Sequence, residues 1–274
     1  MAVDLGEDTE NSKISTKDDK NNLASQWGFE RKFATINGRK TSYFLLGTGE
    51  NTIVFLHGWG SSASAFFFAM KQLCAKYRVL ALDFLGFGES DYPPENYCVK
   101  DYANDVVALT KFLGIDSVTL VGHSFGGRVA IELAANCPGI VKRIVLIDSA
   151  GLKPRRKPDY YLKVFAHKIL KRLGKSGLKG SKDYRALPNC MKKVFVNVVN
   201  YDQTDRLCKI KQPCAVFWGE KDEETPLYMY KKFLRGIKGA QGFLLDGGHF
   251  AFVTDRAKFM LILAAYLDET DKVC

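Results

Sequence analysis

No apolar run in this chain reaches the roughly 18 residues that a membrane-crossing helix needs, so no span is expected. The opening MAVDLGEDTENSKIS has no basic start followed by an apolar stretch, and no secretory signal is expected from it. Cysteine offers little: the seven residues Cys74, Cys98, Cys137, Cys190, Cys208, Cys214 and Cys274 form no close pairs and no zinc or redox spacing. Cys74, Cys137 and Cys214 lie in apolar periodic segments and read as buried thiols, which fits a reducing compartment. No segment repeats. These absences describe a cytoplasmic protein without disulfides, structural metal or membrane span.

What is present is ordinary globular material. With 46% hydrophobic and 12% aromatic residues, the chain is neither disordered nor fibrous. At 274 residues it can bury about three-quarters of its unfolded surface, enough for one large core and a smaller appended piece. The net charge of +10 is concentrated in one place. Between Lys153 and Lys182 stand eleven basic residues and one acid, Asp159, so the rest of the chain is close to neutral. The charge belongs to a segment, and no nucleic-acid reading motif accompanies it; nucleic acid is not an expected partner.

Residues 1–26 are polar, with mixed charge, and read as a flexible leader. Apolar runs then alternate with helical patterns. Lys40–Leu46, Thr52–Leu56, Arg78–Asp83, Ser117–Val121 and Lys142–Asp148 read as strands. Ser64–Lys76, Val99–Leu113 and Phe125–Asn136 read as helices, with Tyr102, Val106, Leu109 and Leu113 marking one face of the second. Such alternation predicts a parallel sheet with helices on both faces. The pattern stops after Ala150. A basic helical stretch, Tyr160–Leu173, a Gly- and Lys-rich connection and a second helical pattern, Met191–Asn200, follow. Alternation resumes with Ala215–Trp218, Leu227–Leu234, Gly242–Leu245 and Arg256–Leu267. The expected organisation is a leader (1–26), a core from 27–151 and 208–274, and a basic helical insertion at 152–207.

The strongest local signal is Gly122-His123-Ser124-Phe125-Gly126, placed between a strand and a helix. A sharp strand-to-helix turn exposes a serine oxygen near unpaired helix-start amides, and glycines on both sides let backbone approach closely. A Gly-rich turn with a capping serine would look the same in five residues; the strand–turn–helix placement favours the nucleophile. The second signal is His57-Gly58-Trp59-Gly60, at the end of the run TIVFL. Acyl transfer needs two preorganised donors for an oxyanion, and the backbone amides of Trp59 and Phe125 are the natural pair. The His57 ring reads as a brace for its loop.

Histidine is scarce, and only His167 and His249 follow Ser124. His249 stands in a Gly-rich loop after a strand pattern, whereas His167 lies on the basic helix, so His249 is the candidate general base. Asp222, in WGEKDEETP after another strand pattern, is the candidate acid that would hold the imidazole. Glu220, Glu223 and Glu224 compete with it, and Asp148 is a further candidate. The order is oxyanion turn, Ser124, Asp222, His249, each at the carboxyl end of its own strand, where ligand chemistry in open parallel sheets belongs.

With HGWGSSASAF, LDFLGFGESD, VGHSFGGRVAIELA, WGEKDEETP and DGGHF together, the chain resembles the α/β-hydrolase superfamily from about residue 29 onward. It is similar in particular to the branch of small serine hydrolases and carboxylesterases with a short helical cap. The resemblance implies an α/β fold, a mostly parallel, doubly wound sheet with a small helical cap insertion. It implies Ser124, Asp222 and His249 as the triad, Trp59 and Phe125 as oxyanion donors, no cofactor, and a small-molecule ester or acyl substrate. Relatives that open epoxides or remove halogens use aspartate where this chain has Ser124. A carbon–carbon bond hydrolase acting on a vinylogous diketone, and a hydrolase-like ligand receptor with little turnover, are the alternative expectations. The basic cap admits three readings: a solvated surface, a contact with an anionic membrane surface, and an attractor of anionic substrates.

Overall fold

The chain's β-branched and aromatic runs pair as strands, and the period-3.6 segments between them coil. In the computed structural model, which describes residues 24–153 and 182–271, the strands are β1 (Lys32–Ile36), β2 (Arg39–Leu46), β3 (Thr52–Leu56), β4 (Arg78–Leu82), β5 (Val118–His123), β6 (Val141–Ile147), β7 (Cys214–Gly219) and β8 (Gln241–Leu245). They form one sheet in the order β1-β2-β4-β3-β5-β6-β7-β8. The β1–β2 and β2–β4 pairs are antiparallel, and every pair from β4 to β8 is parallel. The expected α/β class and doubly wound sheet are what the chain adopts.

The helices are α1 (Phe67–Leu73), α2 (Val99–Phe112), α3 (Phe125–Asn136), α4 (Lys182–Ala186), α5 (Asn189–Val199), α6 (Leu227–Gly236), α7 (Ala251–Thr254) and α8 (Arg256–Asp271). Strand alternation sends residues to two cores. On one face Val54, Leu56, Leu120, Leu146 and Val216 meet Tyr102, Val106 and Leu109 of α2, Val129 of α3 and Phe233 of α6. On the other, Ile53, Phe55, Val121, Val145 and Phe217 meet Phe67 of α1 and Phe259, Leu263 and Leu267 of α8. All five residues of β3 are buried, as expected of a central strand covered on both sides. Its apolar side chains, Ile53, Val54, Phe55 and Leu56, each contribute roughly 1.5–3 kcal/mol by leaving water.

Three details differ from the sequence expectation. β1 was not anticipated; it is an edge strand with Phe33 about half exposed, joined to β2 through Asn37 and Gly38. Both turn residues have positive φ, 50° and 78°, the geometry of a two-residue hairpin turn for which Asn-Gly is the preferred pair. The expected single helix Ser64–Lys76 is a 3₁₀ turn, Ala63–Phe66, leading into α1. The Asp83 carboxylate accepts the Ala63 amide at 2.8 Å and fixes that tight start. Of the three cysteines expected to be buried, Cys214 is; Cys74 and Cys137 are half-buried because each caps the C-terminal end of a helix, where side chains turn towards solvent.

Between β6 and β7 the described residues include α4 and α5, and α5 covers the expected helical pattern Met191–Asn200 up to Val199, with Asn200 as its C-cap. Met191, Val194 and Val198 of α5 are buried on the first core face. The expected basic helix Tyr160–Leu173, with His167, lies outside the described residues. The chain returns to β7 through a polar contact with α3: Tyr201 donates to Glu132 at 3.0 Å and Arg206 pairs with the same carboxylate at 3.1 Å. Strand order reverses on either side of β3, which has β4 on one side and β5 on the other. That switch point leaves a crevice outside the carboxyl ends of β3 and β5.

Candidate active site

Ser124 occupies that crevice, between the end of β5 and the start of α3, with φ 49° and ψ −108°. Only Asn37, Ser124 and Asp148 among the described non-glycine residues have positive φ, and two of these three stand at neighbouring strand ends here. Strain of this kind persists where surrounding structure over-determines it. The Ser124 amide donates to Ile147 O at 3.0 Å, and its carbonyl accepts the Ala150 amide at 3.1 Å, so the end of β6 and the loop after it hold the turn on both sides. Gly126 sits so close to the end of β3 that a Cβ there would collide with the Leu56 carbonyl oxygen. The second flanking glycine of the motif is thus required by packing of α3 against β3.

The three residues expected to act together do meet. His249 Nε2 lies 2.8 Å from Ser124 Oγ, and His249 Nδ1 lies 2.8 Å from Asp222 Oδ2. They come from the loops after β5, β7 and β8, up to 125 residues apart in sequence. Asp222 is buried and well supplied with donors: the amides of Glu224 (2.8 Å) and Thr225 (3.0 Å) reach Oδ1, and Thr225 Oγ1 reaches Oδ2 at 2.5 Å. Burial alone would raise its carboxyl, but the hydrogen bonds from His249 and Thr225 outweigh this and hold it below the usual carboxylate value. Its anionic state fixes a proton on Nδ1 and leaves Nε2 as the acceptor facing the serine.

The competing acids are placed elsewhere. Glu220 and Glu223 are exposed. Glu224 is exposed too, and its carboxylate lies 3.5 Å from His249 Nε2, on the serine side of the ring. Asp148, at the end of β6, is fully buried and does not touch the imidazole within hydrogen-bonding distance; its Oδ1 accepts the Gly219 amide at 2.7 Å.

Phe125 follows the serine directly, and Trp59 follows Gly58, where a Cβ would lie 3.5 Å from Ser124 Cβ; among the described residues neither the Trp59 nor the Phe125 amide is taken by a backbone carbonyl. Phe125 is the first residue of α3, whose starting N–H groups have no partner within the helix. His57 braces its loop as expected: Nδ1 donates to Gly58 O at 2.8 Å and Nε2 accepts the Phe84 amide at 3.0 Å, with the ring wholly buried. The Trp59 ring packs edge-on against Phe87, Phe125 and Phe195, at 4.9, 5.4 and 5.3 Å between centroids. Phe195 belongs to α5, so an aromatic wall joins the Trp59 turn to the segment between β6 and β7.

Two further residues at the site have no role in the sequence pattern. His123 is buried, and its Nε2 donates to the His249 carbonyl at 2.7 Å, tying the His249 loop to β5. Burial, reinforced by the nearby His249, pushes its imidazole down to about 3, so it stays neutral. Thr225 is the other, and its signal was the Asp-x-x-Thr-Pro spacing, in which a side-chain donor follows the acid by three residues. Among the described residues no group of three His, Cys, Asp or Glu is placed to hold a metal ion, and no helix is long and apolar enough to cross a membrane.

Residues 51–176 match the family model described as alpha/beta hydrolase fold. The AB hydrolase superfamily protein YisY of Bacillus subtilis is 27% identical over 247 residues, 78% of this chain and 90% of its own. Among solved structures, a bacterial membrane phospholipase A superposes with a TM-score of 0.71 at 23% identity, over 92% of this chain and 90% of that one. Est816, described as an N-acyl homoserine lactone degrading enzyme, superposes with a TM-score of 0.70 at 26% identity, over 85% and 99%.

Proposed function

Because the chain belongs to the α/β-hydrolase superfamily, we propose that it is a serine hydrolase that cleaves a carboxylic ester, or a related acyl bond, of a small molecule through an acyl-enzyme on Ser124. The observation that carries this reading is the continuous hydrogen-bonded line Asp222–His249–Ser124, with both links at 2.8 Å.

The sequence of events follows from that line. His249 Nε2 takes the Ser124 proton as Oγ attacks the carbonyl carbon. The Trp59 and Phe125 amides hold the oxyanion, the imidazolium is stabilised by Asp222, and His249 passes its proton to the leaving alcohol. Water then attacks the acyl-enzyme by the same route, and free acid and Ser124 are restored. Trp59, Phe87 and Phe195 offer an apolar surface beside the oxyanion position, suited to the substrate's acyl portion. Residues 152–207 would act as a cap over the core formed by 27–151 and 208–274. Acyl lactones fall within this substrate class.

Activity on p-nitrophenyl esters of increasing chain length, with Ser124→Ala as control, tests the reading. Turnover is expected to fall by about 10⁶ in the variant, the scale of removing a triad nucleophile. A fluorophosphonate probe is expected to label Ser124 in the wild type and nothing in the variant. Near-normal esterase activity in Ser124→Ala would refute the assignment. Cleavage of a vinylogous diketone without ester hydrolysis would move it to carbon–carbon bonds, and no labelling at all would favour a binding protein.

A further inference from the structure

Asp148 is the one buried acid at this site that the mechanism above does not use. It ends β6 with φ 43°, its amide donates to Phe217 O at 3.0 Å, and its side chain has no exposure to solvent. Oδ1 is satisfied by the Gly219 amide at 2.7 Å. Oδ2 is buried with no donor near it among the described residues. Two bridges bring the Asp222 carboxylate to its side: the Thr225 hydroxyl lies 2.5 Å from Asp222 Oδ2 and 3.2 Å from the Asp148 carbonyl, and Gly219 donates to Asp148 Oδ1 while its own carbonyl accepts the Asp222 amide at 3.2 Å. Two ionised carboxylates are acceptors only and cannot bond to each other. A proton on one of them makes both satisfied.

Which acid holds the proton follows from the donors around each. Asp222 accepts from two amides, the Thr225 hydroxyl and His249. Asp148 accepts from one amide. The donors therefore stabilise charge on Asp222, and the proton belongs on Asp148. We propose that Asp148 is a positioning residue: a neutral carboxylic acid at the end of β6 whose Oδ2–H donates to Asp222 and fixes that carboxylate against His249. This rests on the serine-hydrolase reading for its catalytic meaning, and on the two carboxyls alone for its chemistry. Burial, with the charges of Asp222 and Glu224 pushing the same way, raises the Asp148 carboxyl to about 9. Of the charged groups acting on it, Asp222 is the nearer; Glu224, also from the loop after β7 and also anionic, acts from the far side of the His249 ring, which lies beyond Asp222.

The consequence is a second limb in the pH profile. Above about 9 Asp148 would lose its proton, the bond to Asp222 would become a repulsion, and kcat would fall. In Asp148→Asn the amide keeps a donor for Asp222 and an acceptor for the Gly219 amide but does not titrate. That variant is expected to keep kcat within about tenfold of wild type and to lose the alkaline limb, whereas Asp148→Leu, which lacks the donor, is expected to lose about a hundredfold in kcat with little change in KM. An alkaline limb that persists in Asp148→Asn, or wild-type kcat in Asp148→Leu, overturns the proposal. Infrared difference spectra of wild type minus Asp148→Asn at neutral pH provide a readout independent of turnover and of the fate of the leucine variant. A protonated-carboxyl C=O band carried only by wild type is expected, and its absence overturns the proposal even in an active enzyme. If fluorophosphonate labelling of Ser124 fails while the band is present, the catalytic reading falls and the carboxyl pair stands.

Discussion

The loops after β6 and β7 each deliver one aspartate to the same edge of the sheet; both side chains are buried, and the Thr225 hydroxyl touches the Asp222 carboxylate and the Asp148 carbonyl alike. Residue type, depth and neighbourhood are nearly shared. What differs is the supply of donors. The loop after β7 folds back over its own aspartate, so that the Glu224 and Thr225 amides and the Thr225 hydroxyl converge on Asp222 before His249 is counted. The loop after β6 leads straight on to Ser149 and Ala150, where the Ala150 amide serves the Ser124 turn, and leaves the Asp148 carboxyl with only the Gly219 amide. Local backbone geometry, rather than burial as such, separates the acid that holds charge from the acid that holds a proton.

The sharpest way to break this comparison is to neutralise each acid in turn. Asp222→Asn should lower kcat by about 10⁴, the scale of losing a triad carboxylate, because the imidazole then holds the wrong tautomer against the serine. The same substitution at Asp148 should cost no more than about tenfold. Steady-state kinetics on one ester decides the matter: comparable losses at both positions would mean that the two carboxyls share the acid's role.

The second test is thermodynamic. A carboxyl whose value rises from 3.8 to about 9 on folding binds a proton more tightly in the folded state. Its contribution is complete below the unfolded value and is lost progressively as pH rises towards the folded one. By pH 7 the wild type has lost about 4 kcal/mol relative to a chain without this titration, since each unit is worth about 1.4 kcal/mol. Asp148→Asn is therefore expected to be the more stable protein at neutral pH, with the gap narrowing as pH falls. Urea denaturation of both chains between pH 5 and pH 8 measures it. Parallel stability curves would show that Asp148 is ionised in the folded state.

The sequence was informative where function depends on order and silent where it depends on converging backbone. That Ser124, Asp222 and His249 meet could be expected from motifs at the ends of β5, β7 and β8, because the parallel sheet brings these carboxyl ends to one edge. The seven strands anticipated match those observed to within one or two residues at each end. Strand β1 was legible in principle through Asn37-Gly38, but its five residues alternate only weakly and carry an exposed Phe33. The 3₁₀ start before α1 was not legible, since it depends on Asp83, twenty residues away. Asp148 appeared only as one more acid among several. Its charge state is set by Gly219, 71 residues later, and by the carboxylate it faces, neither of which leaves a local pattern.

The smallest of the expected effects separates the two loops most cleanly. Thr225 Oγ1 is 2.5 Å from Asp222 Oδ2, 3.2 Å from the Asp148 carbonyl and 3.4 Å from His249 Nδ1. At 2.5 Å from an anion its proton goes to Asp222, a charge-assisted bond worth roughly 1.5–3 kcal/mol. Thr225→Val removes that donor, conserves shape, and leaves the Thr225 backbone amide on Oδ1 in place. If the donor supply of the β7 loop is what makes Asp222 the better anion, kcat should fall about tenfold, equivalent to about 1.4 kcal/mol, and Thr225→Ser should restore it. The carboxyl band of Asp148 should also weaken in the valine variant, since a less stabilised Asp222 competes better for the shared proton. A valine variant with undiminished kcat and an unchanged band would show that the hydroxyl is dispensable, and would leave the two backbone amides as the whole of the difference between the loops.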